Sequence, residues 1–81
     1  MADQVNDIIP YLSELLEDNT VPRNVKLKIE IIIKCFGDKI VESSLKVNRA
    51  LDILEEISGD NNIQPYTRTQ IWNIVSMLEA N

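Results

Sequence analysis

The chain has 81 residues and a net charge of −5, with acid in excess over base in both halves, eight to five over residues 1–42 and five to three over 43–81. That balance opposes direct high-affinity binding to nucleic acid and to anionic membrane surfaces. Histidine is absent, which removes the commonest general base and transition-metal ligand, and the one cysteine, Cys35, can form neither an internal disulfide nor a Cys–His nucleophile pair.

Taken in chain order, the opening MADQVNDIIPYL lacks the basic start of a signal peptide, and no apolar run approaches the ~20 residues that span a bilayer. A cytoplasmic, reducing setting is expected. Val5, Ile8, Ile9, Leu12, Leu15 and Leu16 fall on one stripe of a first helix. If it starts near Asp7, Pro10 sits in the first turn, where N–H groups have no intrahelical partner; if Asp3 is the cap, Pro10 makes a kink. The stretch Glu17-Asp18-Asn19-Thr20-Val21-Pro22 is a stop and restart, with Asn19 or Thr20 able to cap the next helix.

The second helix is predicted over 22–36, with Val25, Ile29, Ile32 and Phe36 on its core face and Gly37 supplying a left-handed C-terminal position. The third is predicted over about 38–58, with Ile40, Val47, Ala50, Leu51, Leu54 and Ile57 inward. Its first turns are open to a loop reading, because Glu42-Ser43-Ser44 is a weak helical stretch. Gly59-Asp60-Asn61-Asn62 breaks the chain, and a fourth helix follows over 65–80 with Thr67, Ile71, Ile74, Val75 and Leu78 inward.

The same text occurs twice. At an offset of 42, Leu12 falls on Leu54, Glu14 on Glu56, Asp18 on Asp60, Val21 on Ile63, Ile29 on Ile71, Ile32 on Ile74 and Phe36 on Leu78. Pro22 and Pro65 alone slip by one. A period of this size marks a helical hairpin that cannot bury its apolar face alone. The expectation is therefore an all-α fold, one domain over 1–81, in which two repeated hairpins (about 3–36 and 39–80) close into a four-helix bundle.

No residue pattern points to catalysis, to a cofactor or to a metal. Cys35 lies beside Phe36 on the apolar side of the second helix and reads as a buried structural thiol. The Asp18-Asn19-Thr20 and Asp60-Asn61-Asn62 turns lack the further carboxylates of a calcium loop. Glu17-Asp18 and Glu55-Glu56 point about 100° apart on a helix and read as solvated ends. Arg23, Lys26 and Lys34, with Glu30 between them in an i, i+4 ladder, form a solvated face rather than a phosphate site.

Two surfaces read instead as protein contacts. Leu27, Ile31 and Ile33 are apolar beyond the second helix's core stripe, so that helix is either central or covered by another chain. The outward face of the fourth helix is Thr69, Asn73 and Ser76, small and uncharged, flanked by Trp72 on one side and by Tyr66 and Met77 on the other. Charge depletion beside Trp, Tyr and Met is an interface composition. The candidate partner-binding residues are Tyr66, Arg68, Trp72, Asn73 and Met77, with Leu27 and Ile31 second. Trp72 is the expected anchor and Arg68 the expected forked donor to a partner.

The motifs Glu17-Asp18-Asn19-Thr20-Val21-Pro22-Arg23-Asn24-Val25, Leu51-Asp52-Ile53-Leu54-Glu55-Glu56-Ile57-Ser58 and Thr67-Arg68-Thr69-Gln70-Ile71-Trp72-Asn73-Ile74 resemble a family of short archaeal helical proteins described only as uncharacterised. The resemblance spans nearly the whole chain and implies no catalytic activity or cofactor. The chain departs from it at Gln64-Pro65-Tyr66, where apolar residues usually flank the proline, and at Gly59-Asp60-Asn61, which lacks the usual Asp-Pro. It also resembles the small second accessory subunit of the B-family replicative DNA polymerase of thermoacidophilic crenarchaea. That likeness implies docking on the polymerase catalytic subunit, not on DNA. The resulting expectation is a non-catalytic binding subunit; its rivals are a scaffold that self-associates as a homodimer, a weak nucleic-acid binder and an enzyme.

Overall fold

Apolar residues spaced by three and four wind into four helices in the computed structural model, which describes residues 7–80. They are α1 (Ile9–Glu17), α2 (Arg23–Gly37), α3 (Ser43–Ser58) and α4 (Pro65–Glu79), and there is no strand among the described residues. The expected cap at Asp3 and stripe residue Val5 lie outside the described residues. α1 packs on α2, α2 on α3, α3 on α4, and α4 returns to α1, closing a ring whose thinnest contact is the α1–α4 seam. The all-α four-helix bundle is as expected.

The repeat is written into the core. Among the described residues sixteen are buried, and they form eight pairs 42 positions apart: Ile8 with Ala50, Leu12 with Leu54, Leu15 with Ile57, Val21 with Ile63, Val25 with Thr67, Ile29 with Ile71, Ile32 with Ile74, and Phe36 with Leu78. Each large aliphatic member contributes about 1.5–3 kcal/mol by leaving water, so this shared core is the main source of stability. Thr67 is the one polar member, fully buried, and its hydroxyl has no hydrogen-bond partner.

The connections repeat as well. In the α1–α2 turn the Thr20 N–H donates to Asp18 Oδ1 at 2.8 Å, and in the α3–α4 turn the Asn62 N–H donates to Asp60 Oδ1 at 2.8 Å. Pro22 and Gln64, 42 apart, are the residues preceding α2 and α4, and their carbonyls accept from the Lys26 and Arg68 N–H groups at 3.0 Å each. The proline slip is therefore a change of role: Pro22 stands just before its helix, whereas Pro65 opens one. Pro10 likewise lies in the first turn of α1, where its missing N–H costs nothing.

Four local expectations are corrected. Asn19 and Thr20 do not cap α2; the Thr20 hydroxyl turns back to Asp18 Oδ1 at 2.7 Å. Gly37 is not left-handed. It is the last residue of α2, and Asp38, extended at φ −80° and ψ 114°, ends the helix. The third helix does not begin at 38. Residues 38–42 form a loop held by the Ile40 N–H on Asp38 Oδ1 (2.9 Å) and by Lys46 Nζ on the Phe36 carbonyl (3.2 Å), while Ser43 and Ser44 are already helical. Ile40, expected inward, is 92% exposed in consequence.

Candidate functional site

Helix α4 displays the surface predicted for it. Ile71, Ile74 and Leu78 face the core, which turns Thr69, Asn73 and Ser76 to solvent. Thr69 satisfies its own hydroxyl on the Pro65 carbonyl at 3.1 Å. Trp72 is 55% exposed on the edge of α4 nearest α3, where it borders a shallow groove of about 170 Å³ with Leu51, Glu55 and Val75. Tyr66 is exposed and Met77 half-buried on the opposite edge, facing α1. The helix thus has two distinct flanks, and Trp72 does not share one with Tyr66 and Met77.

Arg68 does not offer its fork outward. Its Nε donates to the Ser58 carbonyl and its Nη2 to the Asp60 carbonyl, both at 3.0 Å. These are the last carbonyls of α3 and its turn, which lack helical partners. Two of the guanidinium's donors are spent on the chain's own α3–α4 turn. Within the chain, then, Arg68 is a clamp on its own turn, and only its remaining guanidinium protons are left to meet a partner.

Leu27 and Ile31 are each about half exposed on α2. Since α2 takes one place in the ring, it is not central, and this pair is an uncovered apolar face. α2 and α4 are diagonal in the ring, so Leu27 and Ile31 do not join the Trp72 surface. Cys35 is half-buried, less enclosed than expected, because it sits on the edge of α2 and not on its core stripe. The Lys26–Glu30–Lys34 ladder forms no ion pair. Among the described residues the only ion pair joins Lys28 Nζ to Glu56 Oε2 at 3.4 Å, between α2 and α3, and at such exposure it adds no more than about 1 kcal/mol.

A third feature escaped the residue patterns. Where α1 and α4 meet lies a groove of about 260 Å³ bordered by Tyr11 and Glu14 from α1 and by Tyr66, Gln70, Asn73 and Met77 from α4. Across it Gln70 Nε2 donates to Glu14 Oε1 at 3.1 Å. A carboxylate only accepts, so this bond fixes the amide orientation and leaves Gln70 Oε1 buried without a donor. Tyr11, half exposed, lies just off the buried stripe of α1.

Two turn carboxylates are electrostatically marked. The Thr20 hydroxyl, then its N–H, holds the Asp18 carboxyl below the usual carboxylate range, and the Asn62 N–H, then the Asn24 amide (3.3 Å), does the same for Asp60. Both are half-buried turn formers. No group of three or more His, Cys, Asp or Glu among the described residues is placed to hold a metal ion, and no described helix is long and apolar enough to cross a membrane.

Comparison with known proteins agrees with this architecture. A family model described as an uncharacterised protein family, UPF0147, matches residues 1–80. A UPF0147 protein of Sulfurisphaera tokodaii is 37% identical over 95% of this chain and 86% of its own length. Another from Methanocaldococcus jannaschii is 44% identical over 84% of this chain and 73% of its own. A crystal structure of the unknown-function protein MMP1188 superimposes with a TM-score of 0.90 at 38% identity, covering 99% of this chain and 91% of that one.

Proposed function

The chain belongs to the UPF0147 family of small archaeal proteins, and from that premise and its surface we propose that it is a non-catalytic, protein-binding accessory subunit that acts in the cytoplasm. One observation carries the reading: Trp72 stands 55% exposed on a helix whose outward residues, Thr69, Asn73 and Ser76, carry no charge. A large rigid aromatic on such a face supplies an anchor, and small polar neighbours allow a partner's backbone to approach. A replicative B-family DNA polymerase catalytic subunit is a narrower version of the same proposal. It rests on the sequence resemblance and on an acidic charge that favours protein over DNA; the family description and the relatives' names mention no polymerase.

The test is affinity capture from archaeal extract with tagged wild type beside Trp72→Ala, read by mass spectrometry, followed by binding measurements with the purified partner. Trp72→Ala should weaken binding by about 2 kcal/mol, near thirtyfold, while the helical signal and melting temperature are preserved. A variant that melts early yet binds normally would make Trp72 a packing residue. A second reading, self-association, is favoured by the uncovered Leu27 and Ile31. A doubled solution mass, lost in Leu27→Glu, would establish it.

A further inference from the structure

The two seams joining the hairpins are related by the repeat, and the relation exposes a missing charge. A contact between residues i and j in one seam corresponds to a contact between i + 42 and j − 42 in the other. The Lys28–Glu56 ion pair of the α2–α3 seam therefore corresponds to the Gln70–Glu14 hydrogen bond of the α1–α4 seam. The carboxylate is kept, but its cation is replaced by a neutral amide.

Among the described residues nothing nearby makes up the loss. Seven of the eight Lys and Arg lie between residues 23 and 49. α1 contains no basic residue, and the single one on α4, Arg68, is bound to the α3–α4 turn on the opposite edge of its helix. At the same offset Asp7 falls on Arg49, so a second basic position of the other repeat is acidic here. The missing lysine coincides with the groove beside Glu14, whose rim carries Tyr11 and Tyr66. Its volume, about 260 Å³, is below the roughly 300–1,000 Å³ of small-molecule sites and suits one long side chain.

Resting on the docking reading, we propose that the α1–α4 groove receives a lysine or arginine side chain of the partner protein, which pairs with Glu14 as Lys28 pairs with Glu56 within the chain. The aliphatic stem lies along Ile74 and Met77, and the charged end meets the carboxylate between two tyrosine rings whose faces attract cations. Charge complementarity selects the occupant: an acidic, cation-free groove repels nucleic acid and acidic segments and draws a basic one.

The experiment is an NMR titration of the uniformly 15N-labelled full chain with N-acetyl-arginine amide, N-acetyl-lysine amide and the neutral N-acetyl-norleucine amide. Saturable shifts at the Gln70 side-chain amide and in residues 66–77 are expected with a cation and not with norleucine, and the stronger of the two cations identifies the side chain. Glu14→Gln should weaken binding about tenfold or more. Gln70→Lys, which restores the pair found in the other seam, should fold normally and close the groove to the probe. Equal shifts with norleucine, or shifts unchanged in both variants, overturn the proposal. Capture separates it from the reading beneath it. A partner released by Trp72→Ala but held by Gln70→Lys leaves docking intact and removes the groove; no partner bound by the wild type removes docking itself.

Discussion

Thr67 offers the sharpest test of how the core is held. It occupies the position that Val25 occupies in the first hairpin; both are fully buried, and the Thr67 hydroxyl has no hydrogen-bond partner. Thr67→Val exchanges that hydroxyl for a methyl of nearly the same shape. Leaving a buried hydroxyl unpaired costs about 1–3 kcal/mol, so the variant should be more stable by about that much. At about 2.1 cal/mol/K of unfolding entropy per residue, the 81-residue chain has about 170 cal/mol/K in all, and each kcal/mol moves the melting temperature by about 6 °C. A rise of about 6–18 °C is expected by calorimetry or circular dichroism. The reciprocal change, Val25→Thr, should lower it by a similar amount. A Thr67→Val variant that is neutral or less stable than wild type would refute the reasoning, because the hydroxyl would then be satisfied by a buried water or by a carbonyl of the preceding turn.

Arg68→Ala removes both bonds to the Ser58 and Asp60 carbonyls and should cost about 2–3 kcal/mol in urea unfolding, while Arg68→Lys, with no fork, recovers only part of it. Were Arg68 chiefly a partner contact, the alanine variant would keep its stability and lose binding alone. Asp18 and Asp60 give a pH dependence. Their folded carboxyls ionise more readily than in the unfolded chain, so their stabilisation is complete above the unfolded value near 3.9 and is lost as pH falls through the lowered folded values. Urea midpoints followed from about pH 5 to about pH 2 should fall less steeply for Asp18→Asn/Asp60→Asn than for wild type; parallel curves would show that these turns contribute no acid sensitivity.

What was legible in the residues was whatever a helical period records. Val25, Ile29, Ile32 and Phe36 on α2, and Thr67, Ile71, Ile74 and Leu78 on α4, are buried as their spacing requires. Ile40 shows where the period misleads: it has the right spacing for the third helix, but the Asp38 carboxylate captures its N–H and holds the segment as a turn. Side-chain hydrogen bonds of this kind compete with helix locally and leave no trace in apolar spacing. The same competition diverted Thr20 from capping. Arg68 looked free because its acceptors, eight and ten residues earlier, come within reach only once α3 and α4 fold back. The groove is further from view, since Glu14 and Gln70 are 56 residues apart. The repeat alone does place Gln70 on Lys28, yet the meaning of that exchange depends on Lys28 reaching Glu56.

The eight core pairs also bear on how the molecule avoids its own alternatives. Each hairpin presents nearly the same buried surface, so a hairpin of one molecule is a near-fit for its counterpart in another, and exchange between chains is built into the sequence. What favours closure within one chain is the short 38–42 connection, which holds the hairpins at an effective concentration on the order of millimolar, far above that of a second chain in dilute solution. A loop with little apolar burial of its own, Ile40 included, thus bears on which hairpins pair: shortened until the two hairpins of one chain could not meet, it would favour exchange between chains.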